Sequence, residues 1–578
     1  MTAIWPQPYY LFGQGIAVSA SIAMLPTLIL LFLLGVKRKP SWVAALAGLI
    51  ATLVLVTVGY GMSLRHSLNA AAYGACFGIF PISWIVFSSL VLYEISVRTG
   101  KFEIIKDSIG SITSDRRMQA LLIAFAFGAF IEGCAGFGTP VAVAAAMMVG
   151  LGFSSLYASS LCLLANTAPV AFGSIGIPVI TLAAITGLPL DRLSSTVGRL
   201  TAPFSLLLPA YLILVTSGWS ATLEVWPAVL ACGASFALTQ FCVSNYIGPQ
   251  LTDILSSIAA MGSLVILLRF WQPTNRHQRA YEGDEVEANA ADFSASASAS
   301  ASASATAAAA APANAAPVAL HPALPRRTYT AAQIWSAWMP YVFLVLFVLA
   351  WGYQPFVAIL NSASFSFAWP ALHNEIVRMA PVVQTPVKYG AIYNFNWLSA
   401  AGTSCMFASI LAALFSGMKP RAFAEILLIV ARKLIRPTTT VACMLAMAFA
   451  MNYSGATGTL GLAFSASGRL FPLFSPIMGW LGVFLTGSDT SSNALFGNLQ
   501  VVSATRLGFD PVLIASANSV GGVMGKMISL QTIAVAAAAT GMTIAEQSKL
   551  FRFTLKHSVF LALLVGVEVM LYAYVFHL

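Results

Sequence analysis

The chain has 578 residues, of which 58% are hydrophobic and only 8% are charged. A soluble domain carries about a quarter charged residues, so this chain has too little charge to cover a water-facing surface. The composition excludes a soluble globular enzyme, a disulfide-rich secreted protein and a disordered chain, and it indicates a protein that crosses a lipid bilayer roughly a dozen times.

The net charge of +10 comes from short basic clusters at the ends of apolar runs, at 37–39, 98–117 and 419–437. This placement follows the positive-inside rule, so we predict that these clusters face the cytoplasm and that the N-terminus is outside. It does not favour a nucleic-acid partner. The seven cysteines show no CxxC spacing, so neither a disulfide nor a metal site is predicted, and no cofactor is expected.

Apolar segments follow one another along the chain and fall into two kinds. Nine are predicted to be ordinary spans: 15–36, 42–62, 71–93, 202–217, 222–245, 253–271, 334–352, 397–417 and 558–577. Five are interrupted by small and polar residues: 119–153 (at 132–140), 155–187 (at 166–169 and 176–178), 438–467 (at 452–458), 475–505 (at 486–493) and 510–541 (at 518–522). Interrupted backbone inside a bilayer is tolerated where it lines a protein cavity, so the breaks predict a transport site.

Two longer connections separate the apolar segments. Residues 276–327 begin with acidic residues and continue into Ser-Ala alternation and polyalanine, which predicts a cytoplasmic linker. Residues 353–396 are aromatic and Pro-rich and are predicted to form a small cap on the outer surface.

Four short motifs recur in the same order at offsets of 352 to 354 residues. The pairs are Phe130-Ile-Glu-Gly133 with Phe484-Leu-Thr-Gly487, Asn166 with Asn518, Thr186-Gly187 with Thr540-Gly541, and Arg199 with Arg552. We therefore predict a duplicated unit, and the basic clusters favour opposite orientations of the two copies. The predicted fold is an all-α polytopic membrane protein with roughly 12 to 14 membrane segments and two inverted repeats containing broken helices or re-entrant hairpins.

The predicted domain organisation follows from these units. It comprises N-terminal scaffold spans with an interfacial helix (1–118), transport repeat 1 (119–201), scaffold spans (202–275), the linker (276–327), scaffold spans with the outer loop (328–437), a broken span (438–474), transport repeat 2 (475–557) and a last span (558–578).

Glu132, Asp489 and Lys526 are the charged residues predicted to lie deepest in the membrane. An ionisable group there is costly and indicates function. Lys526 is suited to neutralise a substrate carboxylate. Glu132 and Asp489 are candidates for proton coupling, with Glu132 favoured because Lys526 is the natural partner of Asp489. The structural alternative is that Asp489 and Lys526 simply pair and hold two breaks together.

Small and polar residues around the breaks are candidates for substrate binding, because free N–H groups at half-helix N-termini attract a carboxylate. They are Gly136, Gly138, Thr139, Asn166, Thr167, Ser488, Thr490, Ser491, Asn493, Asn518 and Ser519. For each hydroxyl or amide taken singly, capping its own helix is an equally good explanation. Asp253 is interpreted as a favourable charge at a helix N-terminus. The sequence has no HExxH, GxSxG or Walker motif, so an enzyme is disfavoured.

Long ordered stretches of the chain resemble the L-lactate permease family of bacterial lactate and glycolate permeases. They include Phe127-Gly-Ala-Phe-Ile-Glu-Gly-Cys-Ala-Gly-Phe-Gly-Thr-Pro140 and Leu485-Thr-Gly-Ser-Asp-Thr-Ser-Ser-Asn-Ala-Leu-Phe-Gly497, with further stretches at 164–173, 372–374, 393–399 and 521–529. The resemblance implies secondary uptake of L-lactate and glycolate with protons across a bacterial inner membrane. The Ser/Ala-rich linker departs from the family pattern.

The leading hypothesis is therefore a proton-coupled symporter of small 2-hydroxymonocarboxylates. The alternative is a sodium- or proton-coupled transporter of di- or tricarboxylates, which one deep lysine suits less well. A membrane-embedded enzyme or a sensor is the rival from another class. The expected partners are a small monocarboxylate anion, protons and the lipid bilayer, and a homodimer is left open.

Overall fold

The computed structural model describes residues 4–37, 39–136, 138–273 and 329–576. The predicted linker at 276–327 lies outside these residues. Within them, twelve helices are long and apolar enough to cross a membrane, and a bent pair makes a thirteenth if it is counted as one span. The predicted number of membrane segments is thereby confirmed.

The helices before the linker are α1 (Ile16–Gly35), α2 (Ser41–Val54), α3 (Leu64–Phe77), α4 (Trp84–Arg98), α5 (Lys101–Gly110), α6 (Arg116–Gln119), α7 (Gly128–Cys134), α8 (Thr139–Gly150), α9 (Ser155–Ala165), α10 (Gly173–Thr186), α11 (Leu190–Glu224), α12 (Trp226–Tyr246) and α13 (Thr252–Phe270). Two π-helical turns, Gly78–Ser83 and Ala120–Phe127, join α3 to α4 and α6 to α7.

The helices after the linker are α14 (Ala331–Gly352), α15 (Gln354–Asn361), α16 (Ala401–Phe415), α17 (Pro420–Ser454), α18 (Ala456–Phe464), α19 (Phe471–Thr486), α20 (Asp489–Leu507), α21 (Pro511–Lys526), α22 (Leu530–Thr540) and α23 (Ile544–Leu571).

The chain also contains short strands, which an all-α prediction omits. They are β1 (Trp5–Pro6), β2 (Phe365–Ala368), β3 (Ile376–Arg378), β4 (Val387–Tyr389) and β5 (Ile392–Phe395). β3 pairs in parallel with β1 and antiparallel with β4, and β2 pairs antiparallel with β5. The connection predicted at 353–396, called the hairpin region below, thus contains α15 and four of the five strands. Its strand β3 pairs with β1 near the N-terminus.

Most of the predicted breaks are present. α7 ends at Cys134 and α8 begins at Thr139, and the chain is interrupted again between α9 and α10, where the helices bend by 65°. Gly455 ends α17 with a φ of 92°, and Gly487 ends α19 with a φ of 73°. Glycine adopts this left-handed conformation without the steric penalty of a side chain, so each helix stops at its glycine.

The break predicted at 518–522 is wrong. These residues lie inside α21, which is a continuous helix, and the chain breaks only afterwards, at 527–529. The glycines serve close packing instead: a Cβ added at Gly521 would overlap the carbonyl oxygen of Pro476, and one at Gly525 would overlap that of Trp480. Small residues let α19 and α21 approach backbone to backbone, as is typical of helix pairs in membranes.

The two predicted repeats have the same order of elements. A helix, a break and a helix, then a second such pair and a long helix, run from α7 to α11 and again from α19 to α23. The second pair ends in each unit at a glycine with positive φ, 72° at Gly187 and 70° at Gly541. The inverted orientation of the two units stays a prediction.

Candidate functional site

The three ionisable residues predicted to be deep are all buried. Glu132 lies in the last turn of α7 and is 4% exposed, Asp489 begins α20 and is 3% exposed, and Lys526 ends α21 and is 7% exposed. Lys526 acts electrostatically on both carboxylates. Each of the three residues lies within a few residues of a helix break.

Lys526 does not pair directly with Asp489, contrary to the predicted partnership. Its Nζ donates a hydrogen bond to the carbonyl oxygen of Gly487 at 2.8 Å, and no ion pair between Lys526 and a carboxylate occurs within the described residues. Gly487 caps the C-terminus of α19, where the helix dipole supplies negative partial charge. The ammonium group of Lys526 is therefore held by the C-terminal end of α19, and Asp489 forms its hydrogen bonds with other residues.

Asp489 is held by hydrogen bonds from polar side chains. Ser519 Oγ donates to its Oδ2 at 2.6 Å, and Asn493 Nδ2 approaches the same atom at 3.4 Å. Its Oδ1 has no hydrogen-bond partner among the described residues. Asp489 also lies in the first turn of α20, whose N-cap Ser488 accepts a bond from the Ser491 amide. The positive end of the helix and two donors thus stabilise a negative charge here.

A chain of amide side chains extends this network through α20 and α21. Asn518 Nδ2 donates to Asn493 Oδ1 at 2.9 Å, and Gln500 Nε2 donates to Asn518 Oδ1 at 3.3 Å. Asn493 also donates to the carbonyl oxygen of Pro178, in α10. Three of the predicted binding residues, Asn493, Asn518 and Ser519, therefore form one network with Asp489, and Gln500 is a member that the sequence did not single out.

Glu132 lies in a tight pocket of backbone. A Cβ added at Gly173 would be 2.7 Å from Glu132 Oε1, and one at Gly136 would be 3.6 Å from it. Glu132 Oε2 has no hydrogen-bond partner in the described part of the chain. Asn166 lies against the same carboxylate, yet neither atom of its amide is hydrogen-bonded to a described residue. Glu132 and Asn166 are thus two buried polar groups with unused hydrogen-bonding capacity.

Several predicted binding residues do not belong to the hydrogen-bonded network of Asp489. Thr167 Oγ1 donates to the carbonyl oxygen of Leu164, which is the local capping role weighed as its alternative. Gly138 faces Val535, with 3.7 Å from an added Cβ to the nearest valine atom. Thr490 and Ser491 line a narrow crevice between α10, α17 and α20. Thr139 begins α8 directly after Gly138.

Asp253 is a buried carboxyl group that the sequence interpretation undervalued. It is 1% exposed in the first turn of α13, but neither of its oxygens is hydrogen-bonded within the described chain. Its neighbour is α7: a Cβ added at Gly133 would be 2.9 Å from Asp253 Cβ, and Asp253 and Glu132 act on each other electrostatically. No local pattern signals this contact, because Gly133 and Asp253 are 120 positions apart.

The site therefore gathers one ammonium group, three carboxyl groups and several amides inside a bundle of membrane helices. Together with the broken helices, this defines a multi-pass helical membrane protein of the solute-transporting class.

The comparison with known proteins agrees with this class and narrows it. The sequence profile described as L-lactate permease matches residues 19–576. The L-lactate permease of Bacillus subtilis is 41% identical, with 99% of each chain covered. The glycolate permease GlcA of Escherichia coli is 40% identical, with 99% of this chain and 98% of that protein covered. The chain belongs to the L-lactate permease family.

Two solved structures resemble the chain loosely. MtrF of Neisseria gonorrhoeae, described as illuminating a class of antimetabolite efflux pumps, has a TM-score of 0.46 at 11% identity, covering 94% of this chain and 97% of that chain. The YdaH transporter of Alcanivorax borkumensis has a TM-score of 0.42 at 11% identity, covering 87% and 86%.

Proposed function

We propose that this protein takes up L-lactate and glycolate by proton symport across a bacterial inner membrane. Its relatives are named L-lactate permease and glycolate permease, which supports these two substrates. The observation that carries the proposal is a buried lysine whose hydrogen bond to Gly487 uses one of its three N–H donors. The other donors are available for the carboxylate of a small anion.

In the proposed site, Lys526 binds the substrate carboxylate. The hydrogen-bonded side chains around Asp489 orient the rest of the substrate. A 2-hydroxy acid carries one hydroxyl donor, and Asp489 Oδ1 is a buried acceptor without a partner among the described residues. A hydroxyl donating to this oxygen would distinguish lactate and glycolate from simple carboxylates, because a substrate without it leaves the acceptor unpaired. Asn493, Asn518 and Ser519 keep Asp489 in place.

Glu132 is the proposed proton carrier. A monoanion that crosses with one proton moves no net charge, and a buried carboxyl group that binds the proton serves this purpose. Asp489 receives hydrogen bonds that stabilise its charge, whereas Glu132 Oε2 receives none from the described residues. Glu132 also has the carboxyl group of Asp253 beside it, and two buried neighbouring carboxylates are costly unless one takes up a proton.

The proposed movement involves the two repeats against the remaining spans. Residues 119–201 and 475–557 contribute Glu132, Asp489 and Lys526, whereas Asp253 belongs to the predicted scaffold. Carriage of the substrate by the repeats past the scaffold would bring Glu132 and Asp253 together in one state and separate them in another.

Uptake into proteoliposomes tests the proposal. Labelled lactate, glycolate, succinate and citrate are offered under an imposed proton gradient or an imposed sodium gradient. We expect lactate and glycolate to accumulate with an inward proton gradient and not with sodium. Accumulation of succinate or citrate alone would instead support a di- or tricarboxylate transporter. The mass of the purified protein in detergent, compared with the 61.0 kDa chain, tests whether it is a homodimer.

A further inference from the structure

A polar cavity lies apart from the deep charged cluster, beside the hairpin region. Its volume is about 120 Å³. Its polar lining comes from distant parts of the chain and includes Gln7, Thr186, Arg378, Asn452, Thr457, Asn498 and Thr505. We call it the Arg378 cavity. The cavity is lined by none of the four residues of the deep cluster, Glu132, Asp253, Asp489 and Lys526. No acidic residue of the described chain lines it.

Asn452 presents an unused donor at this cavity. Its Oδ1 accepts two hydrogen bonds, from Thr457 Oγ1 at 2.7 Å and from Asn498 Nδ2 at 2.9 Å. With Thr457 and Asn498 as donors, Oδ1 is the amide atom turned toward them. The Nδ2 group has no hydrogen-bond partner among the residues described, although Asn452 is only 5% exposed. A buried donor without a protein partner is costly, and a bound ligand can supply the missing acceptor.

Arg378 supplies a positive charge at the same cavity. Its guanidinium lies 3.7 Å from the ring centroid of Tyr389, and no ion pair with a carboxylate holds it within the described residues. Stacking on a ring occupies the face of the guanidinium and leaves its edge donors free. The cation is thus positioned but not neutralised.

A helix N-terminus adds to the positive potential. The nine-residue helix α18 begins after Gly455, and Thr457 and Gly458 of its first turn line the cavity. The N-terminal end of a helix carries positive partial charge and free N–H groups. The guanidinium, the Asn452 amide and this helix end together favour a bound anion.

The size and lining of the cavity indicate which anion. An engineered cavity of about 150 Å³ holds benzene, which has six heavy atoms, and L-lactate also has six. Val382, Val501 and Val502 supply apolar contacts suited to a methyl group. Thr505 Oγ1 donates to the carbonyl oxygen of Val501, and Asn498 Nδ2 donates to Asn452. The Thr505 hydroxyl oxygen and Asn498 Oδ1 can still accept a hydrogen bond from a hydroxyl group.

We propose that the Arg378 cavity is a second binding site for a small 2-hydroxymonocarboxylate, in which Arg378 and Asn452 hold the carboxylate. The identity of the anion rests on the proposed function. The cavity and the deep site share α20, which begins at Asp489 and reaches the cavity at Asn498, about 14 Å further along the helix. The cavity lies between the hairpin region and the site at Lys526, so an anion bound there is already close to that site.

The test counts bound lactate on the purified full-length protein. Asn452→Asp keeps the acceptor for Thr457 and Asn498 and replaces the unused donor by a negative oxygen, so it should repel the anion. Arg378→Gln removes the cation. Lys388→Gln is the matched control, because Lys388 is an exposed cation of the same hairpin region that does not line the cavity.

Equilibrium dialysis with labelled lactate should give two equivalents for the wild type and for Lys388→Gln. It should give one equivalent for Asn452→Asp, for Arg378→Gln and for Lys526→Met. In uptake assays, Asn452→Asp should raise the KM for lactate on the hairpin side about tenfold, as expected for the loss of one charge-assisted contact, and leave the maximal rate unchanged.

The two proposals fail separately. One equivalent of lactate in the wild type that survives Asn452→Asp, with normal uptake, would refute the second site and leave the proposed function intact. A wild type that transports no lactate would refute the proposed function. Acetate is then the probe for the cavity, and acetate binding that persists in Asn452→Asp refutes the second site as well.

Discussion

Replacing Lys526 by methionine tests the centre of the proposed mechanism. The substitution gives an unbranched, flexible side chain that is one heavy atom shorter and carries no charge. Structurally, it removes the 2.8 Å hydrogen bond to Gly487 and leaves the carbonyl oxygens at the end of α19 without their cation. It also removes the positive charge that acts on Glu132 and Asp489.

The expected loss of affinity follows from the contact that is lost. A hydrogen bond to a charged group contributes about 1.5–3 kcal/mol. If the substrate carboxylate depends on one such contact with Lys526, the Kd for lactate should rise by about 10- to 150-fold, since about 1.4 kcal/mol is a factor of ten. Lys526→Arg should also weaken binding, because a planar guanidinium does not fit where an ammonium does.

The assay is lactate binding by calorimetry, together with the rise in Tm that lactate produces. Lys549→Met is the matched control, since Lys549 is exposed near the start of α23. A Kd for Lys526→Met within twofold of wild type would contradict the proposed role. If Lys526→Met is unstable, Asp489→Asn in the same chain should restore folding by removing the stranded carboxylate. A restored double variant that still binds lactate would make Lys526 a structural residue.

Four further outcomes are expected. Glu132→Gln should abolish uptake driven by a proton gradient and spare lactate exchange; concentrative uptake that survives would place proton binding elsewhere. Asp253→Asn should shift the pH profile of uptake to lower pH, because a neighbouring negative charge helps Glu132 keep its proton; an unchanged profile would assign Asp253 to packing. Single cysteines at Ser296 and Ser364 should react with an impermeant reagent on intact cells only at position 364, and labelling at 296 alone would reverse the topology. Deletion of 283–320 should leave transport nearly intact, and loss of uptake in a correctly inserted deletion would make the linker functional.

The sequence alone was sufficient for features that depend on local chemistry. The number of membrane segments follows from apolar length, because each span must match the thickness of the bilayer. The ends of α17 and α19 follow from Gly455 and Gly487, because a positive φ is a property of the residue and its immediate neighbours. The burial of Glu132, Asp489 and Lys526 also follows from their position within apolar stretches.

Only the tertiary structure decided how those segments meet. Glycines such as those at 521 and 525 often interrupt helices. Here the backbone of α19 packs against them, so they form a helix interface instead. Asp253 has the sequence position of an ordinary charge at a helix N-terminus, and only the packing of α13 against α7 places it beside Glu132. Asn452 lines a cavity only because α20, with Asn498, and the hairpin region pack beside it. Helix geometry depends on neighbours a few residues away, whereas the partner of a buried polar group is set by packing between segments distant in the chain, and no local pattern records that packing.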